Sequence, residues 1–184
     1  MNTTQTICII RHAEKPAEDG SVGGVSESGA ADEHELSVRG WQRAGALTQF
    51  FGASAPKYPG LRRPDRLFAA APGGAYHSRR NISTLTPLAR LLGVRISEQF
   101  SKGDEFALAQ HLQGVPGAIL IAWEHKAIPT LAAHLADDGS RPPTVWPENR
   151  FDLVWMFARE GSSGARRFIQ IPQLLLSGDE SAVA

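Results

Sequence analysis

Cysteine is nearly absent: Cys8 is the only one in 184 residues, so no intrachain disulfide can form, and its place inside an apolar run reads as a small core residue in a reducing compartment. Net charge is absent as well. The 19 basic and 19 acidic side chains cancel, which leaves no global field to steer the chain to nucleic acid or to an anionic membrane. Long hydrophobic runs are missing, and the opening "MNTTQT" lacks the basic region and apolar stretch of a signal peptide. Internal repeats and a domain linker are also missing. These absences predict one soluble, cytoplasmic domain over residues 1–184, with no nucleic-acid or membrane partner and an open oligomeric state. Tryptophans 41, 123, 146 and 155 then read as core and edge packing rather than as a base-stacking platform.

What is present is an alternation of short apolar runs with amphipathic stretches, which predicts a three-layer α/β/α sandwich on a mostly parallel sheet. "TICII" (6–10), "RLFAAA" (66–71) and "AILIAW" (118–123) have the near-continuous apolar character of strands covered on both faces, with "VRISEQF" (94–100) a weaker candidate. "FDLVWMFA" and "FIQIPQLLL" flank "REGSSGARR" and predict an antiparallel edge hairpin. Four helices fit between. The first starts from Ser37 as N-cap, with Trp41, Ala44, Leu47 and Phe51 inward. The second covers 78–92 with Pro87 inside and Gly93 as its stop. The third covers 104–113 with Phe106, Ala109 and Leu112 inward, and the fourth covers 127–136 with Pro129 in its first turn. Residues 16–35 are polar, Gly- and Ser-rich, and read as a flexible lid. Residues 139–150 form a Pro-rich connection, and 177–184 read as a frayed, disordered tail.

Open parallel sheets bind ligands at the carboxyl ends of their strands. The first run ends in Arg11 and His12, the third in Glu124, His125 and Lys126, and the second leads to Arg79 and Arg80 at a helix start. A neutral chain thus gathers Arg11, Arg80 and two histidines on one rim. Guanidinium groups pair bidentately with phosphate oxygens, and neighbouring positive charge keeps an imidazole neutral with a free, nucleophilic nitrogen. A metal site built from His12, Glu14 and His125 is the competing reading, but the arginines would repel a cation.

These residues resemble the histidine phosphatase superfamily, the phosphoglycerate mutase-like proteins. "RHAEKP" (11–16) is similar to the family's Arg-His-Gly motif, "LSVRGWQRAGAL" (36–47) to the helix that follows it, "SRRNISTLTPLARLLG" (78–93) to the segment of the second arginine, and "ILIAWEHKAIPTLAAHL" (119–135) to the strand, second histidine and helix. The resemblance implies a phosphoglycerate mutase-like fold and a cofactor-independent, metal-free phosphomonoester hydrolase working through phosphohistidine. It assigns His12 as nucleophile, with Arg11, Arg80 and His125 holding the phosphoryl group. It implies as partners a small phosphorylated substrate or a phosphoprotein, and inorganic phosphate in the pocket. A phosphomutase or phosphotransferase on the same pocket, and a phosphate-binding module with little turnover, are the alternatives. Arg79 is the neighbour that a one-residue error would substitute for Arg80. Ala13 and Glu124 stand where the family pattern has glycine, and a carboxylate at 124 is expected to raise the pKa of His125 or to transfer protons itself. The acid that protonates the leaving group is assigned to Glu105, with Asp104, Glu14 and Glu124 as further candidates, Asp104 having an alternative use as the N-cap of the third helix.

Overall fold

The computed structural model describes residues 5–54, 57–74, 76–159 and 164–183. The elements follow in the order β1 (Gln5–Arg11), α1 (Val38–Gly52), β2 (Arg66–Ala69), α2 (Arg80–Leu92), β3 (Ile96–Ser97), α3 (Glu105–Leu112), β4 (Gly117–Trp123), α4 (Ile128–Leu135), β5 (Leu153–Arg159) and β6 (Arg167–Pro172). They build one sheet in the order β3-β2-β4-β1-β5-β6, parallel from β3 to β1 and antiparallel through β5 and β6. The three-layer architecture and the edge hairpin are as the alternation predicts. The turn expected between β5 and β6 falls partly on 160–163, outside the described residues.

The two faces of the sheet explain why the central runs are apolar throughout. Ile7 and Ile9 of β1, with Ile119, Ile121 and Trp123 of β4, point to one face and pack with Leu108 and Leu112 of α3 and Leu131 and Leu135 of α4. Cys8 and Ile10, with Leu120 and Ala122, point to the other face, against Leu47 and Phe51 of α1 and Leu85 and Leu88 of α2. With period-2 alternation feeding two cores, every position must be apolar. Cys8 is 3% exposed, and burial pushes its thiol up to about 12.

Several elements differ in detail from the sequence reading. The strand expected over 94–100 shortens to Ile96–Ser97, and α2 begins at Arg80 rather than 78. That helix runs unbroken through Pro87 and ends at Gly93, whose φ of 67° lets it close the helix onto the carbonyls of Ala89 and Arg90. Helix α3 turns Ala109 and Leu112 inward as expected, together with Glu105 and Leu108, while Phe106, expected inward, is 57% exposed. Asp104 holds the N-cap position but makes no side-chain cap; its carboxylate accepts instead from the backbone N–H of Ser101 at 2.8 Å. Ser37 caps α1 as expected, accepting from Gly40 N–H at 3.1 Å. The tail expected to fray over 177–184 is tied down at Asp179, whose side chain is 4% exposed against Arg43; residue 184 lies outside the described residues.

Candidate active site

Strands β1 and β4 are parallel neighbours with Arg11 opposite Trp123, so the residues that follow them emerge side by side on one rim. The backbone N–H of His12 donates to the Trp123 carbonyl at 3.2 Å, extending the ladder one residue past the strand. The adjacent Ala13 N–H donates to Thr84 Oγ1 at 2.8 Å, and Thr84 Oγ1 donates to the Arg80 carbonyl at 2.6 Å. The threonine four residues after the arginine therefore bolts the first turn of α2 to the peptide beside His12. Gly40 of α1 completes the cradle: a Cβ there would meet the Glu14 carbonyl at 2.4 Å, so only glycine lets the helix approach this closely.

His12 is 4% exposed, and its Nδ1 lies 2.8 Å from its neighbour's acceptor, the Ala13 carbonyl. A carbonyl only accepts, so Nδ1 carries the hydrogen and Nε2 keeps its lone pair. Burial pushes the imidazole down to about 3, and the charges of Arg11 and Arg80 act in the same direction, so the ring is neutral at physiological pH.

Arg11 is 2% exposed. Its guanidinium lies 3.8 Å above the Phe151 ring, and Nη1 donates to the carbonyls of Glu148 and, at 3.5 Å, Arg150. Burial pushes it down to about 10, which still leaves it charged at neutral pH, and its buried Nε has no hydrogen-bond partner in the protein. Arg80 turns one edge of its guanidinium to the loop, with Nε donating to the Glu35 carbonyl at 3.1 Å and Nη2 to the Glu33 carbonyl at 2.5 Å. Its charge reaches His12. Arg79 points away, 56% exposed beside Glu35 at 3.5 Å, so the structure brings Arg80 and not Arg79 to the site. The loop expected as a lid is stitched to this arginine and, through Trp41 Nε1 to the Val25 carbonyl at 2.8 Å, to α1.

His125 follows β4 and sits just before α4, whose first N–H groups fold back to the Glu124 carbonyl. Glu124 Oε1 lies 2.9 Å from His125 Nδ1, and Oε2 lies 3.1 Å from Lys102 Nζ. Neither approach has hydrogen-bond geometry: both ring nitrogens of His125 and Glu124 Oε2 are buried atoms without a hydrogen-bond partner. Glu124 does not raise His125 on balance; burial and Arg11 outweigh it, and the imidazole is lowered from its ordinary value.

Glu105, the acid assigned from sequence, has another occupation. Its Oε1 accepts from the Trp123 indole N–H at 2.9 Å and from Gly103 N–H at 3.0 Å, which holds the end of β4 to the start of α3. Glu14 is gripped by Arg43, with Nη2 at 2.8 Å from Oε1. Among the described residues no group of three or more His, Cys, Asp or Glu side chains is placed to hold a metal ion, and no helix is long and apolar enough to cross a membrane. Beside Arg11 and His125 opens a cleft of about 690 Å³, walled also by Glu14, Lys15, Pro16, Val22, Arg39, Lys126, Glu148 and Phe151 among others. The supporting roles of Thr84, Phe151 and Lys102 were not read from the sequence. Only Thr84 left a signal there, its four-residue spacing from Arg80.

No protein-family model matches the chain, and no curated protein matches it in sequence. Solved structures do match in fold. One is the protein histidine phosphatase SixA in complex with tungstate, at a TM-score of 0.56 and 16% identity over 91% of this chain and 97% of that one. Another is a mycobacterial glucosyl-3-phosphoglycerate phosphatase complexed with VO3, at a TM-score of 0.54 and 13% identity over 89% of this chain and 96% of that one. The fold is the one these phosphatases have, as the sequence motifs implied.

Proposed function

We propose that the chain is a phosphomonoester hydrolase of the histidine phosphatase type, acting through a phosphohistidine on His12. One observation carries this reading: a buried imidazole held as the Nδ1–H tautomer between two arginines, so that a nucleophilic lone pair faces an anion-attracting rim. Two structures of the same fold, one with tungstate and one with VO3, are named as phosphatases, which supports it. Nε2 of His12 attacks phosphorus in line and the bond to the leaving oxygen breaks. Arg11, the free edge of Arg80 and a ring N–H of His125 take the equatorial oxygens. The Ala13 carbonyl supports the positive ring that forms on phosphorylation. Water then attacks phosphorus and restores neutral His12.

Glu124 is the carboxylate we assign to proton transfer with the leaving group, because it stands beside His125 while Glu105 is engaged with Trp123. The 690 Å³ cleft, with Lys15, Arg39 and Lys126 on its walls, suits a small phosphorylated metabolite or the exposed side chain of a phosphoprotein. The neutral overall charge argues against nucleic acid, and the single buried thiol fits a cytoplasmic setting. Hydrolysis of an aryl phosphate, with acid-labile phosphoryl label on the wild type and none on His12→Ala, is the expected result. Neither release nor label from the wild type would overturn the reading in favour of a binding module.

A further inference from the structure

Glu14 is a carboxylate in a cleft that otherwise gathers cations. It lies two residues after His12 and lines the same cleft as Arg11 and His125, with its side chain 12% exposed. An unpaired negative charge there would oppose a phosphate. Arg43 answers it. Its side chain is 3% exposed, and Nε donates to both Glu14 oxygens at 3.0 Å while Nη2 donates to Oε1 at 2.8 Å. The other side of the guanidinium meets Asp179 at 2.7 and 3.1 Å and the Gln173 side-chain oxygen at 3.1 Å. All five N–H donors of Arg43 therefore have acceptors.

Asp179 is itself built in. Its Oδ2 accepts from the backbone N–H groups of Leu175 at 2.8 Å and Leu176 at 3.1 Å. Arg39 approaches Glu14 at 3.3 Å and donates to the Ser177 carbonyl at 2.6 Å, a second tie between the same two segments. Burial alone would weaken the arginine's hold on its proton, but the ion pairs with Asp179 and Glu14 raise it, and Arg43 with two backbone donors holds Asp179 at about 2.

We propose that Arg43, anchored by Asp179 and joined by Arg39, is a positioning residue that balances the charge of Glu14 and fixes the peptide following His12, so that a carboxylate can stand inside an anion-binding cleft. The residues after β6 are thereby part of the phosphate site, although none of those in the bridge lines the cleft. This rests on the reading of the cleft as a phosphate site, so it is tested by binding rather than by turnover.

Calorimetric titration of the full chain with inorganic phosphate separates the possibilities. Arg43→Gln is expected to weaken binding about 10-fold, and adding Glu14→Gln in that background to restore it to within about 3-fold of wild type, because the unpaired charge is then gone. A double variant as weak as Arg43→Gln would overturn the proposal, since a purely structural arginine is not rescued this way. Should Arg43→Gln fail to fold, Glu14→Gln alone decides: it leaves surplus positive charge and is expected to tighten phosphate about 3-fold, while unchanged or weaker binding overturns the proposal. A wild type that binds phosphate without hydrolysing any ester would end the hydrolase reading and leave this one standing; one that binds none would end both.

Discussion

Two adjacent strand ends carry the site, and they are built on opposite terms. At the end of β1, His12 has its Nδ1 committed to the Ala13 carbonyl, its peptide committed to Trp123 and its neighbour committed to Thr84. At the end of β4, His125 has no hydrogen-bond partner for either ring nitrogen and lies between Glu124 and Arg11. The first end is fully specified before any ligand arrives. The second leaves both ring nitrogens of His125 unbonded within the protein. Under the proposed hydrolase reading, a nucleophile at His12 gains from fixed geometry, because the alignment is already made, whereas a His125 that grips an anion and then releases it gains from adjustable partners.

The widest test of this asymmetry is to remove each histidine. His12→Ala is expected to lower kcat by about 10³-fold or more and to abolish the label, whereas His125→Ala slows turnover about 10²-fold with label still trapped on His12. Rapid-quench measurement of acid-labile phosphate checks it, and label persisting in His12→Ala would reverse the two roles. Next comes the brace. Thr84→Val leaves the Ala13 N–H buried without a partner and is expected to reduce kcat about 10–30-fold with KM little changed, read from steady-state aryl phosphate hydrolysis. A change confined to KM would place Thr84 in substrate binding instead.

The smallest effect is on stability. Folded His12 titrates near 3 against an ordinary 6.5, so between those values the unfolded chain binds a proton that the folded chain refuses. Stability is therefore lost as pH falls from 6.5 towards 3. His12→Gln removes this contribution, and its loss of stability between pH 7 and pH 5 is expected to be about 1–2 kcal/mol smaller than that of wild type, measured from urea midpoints. Equal losses in the two proteins would show that His12 is not buried neutral.

The central strands were legible because two apolar cores make every position of 7–10 in β1 and 118–123 in β4 apolar. One position of helix α3 differs from the apolar pattern for a physical reason. Its inward face begins with Glu105, a carboxylate that burial tolerates because the Trp123 indole and Gly103 N–H satisfy it, and apolarity alone points to Phe106 instead. The rim residues could be named because Arg11 closes β1, His12 follows it, His125 stands two residues past β4 and Arg80 opens α2, each inside a motif that carries the family resemblance. The residues that support them could not. Arg43 reads as one more polar position of α1, and its partner Asp179 is 136 residues away in a stretch whose composition suggests fraying. Ion pairs across such separations leave no periodicity to find.

Cys8 has a use beyond packing. It is the only thiol in the chain, it sits in the middle of the central strand, and burial keeps it protonated with its pKa near 12. An alkylating reagent reaches it only when β1 opens, and β1 cannot open without disassembling both cores. Its modification rate is thus a clock for whole-domain unfolding, set in the strand that leads to His12. Ligands that dock on the rim will slow that clock in proportion to how tightly they bind.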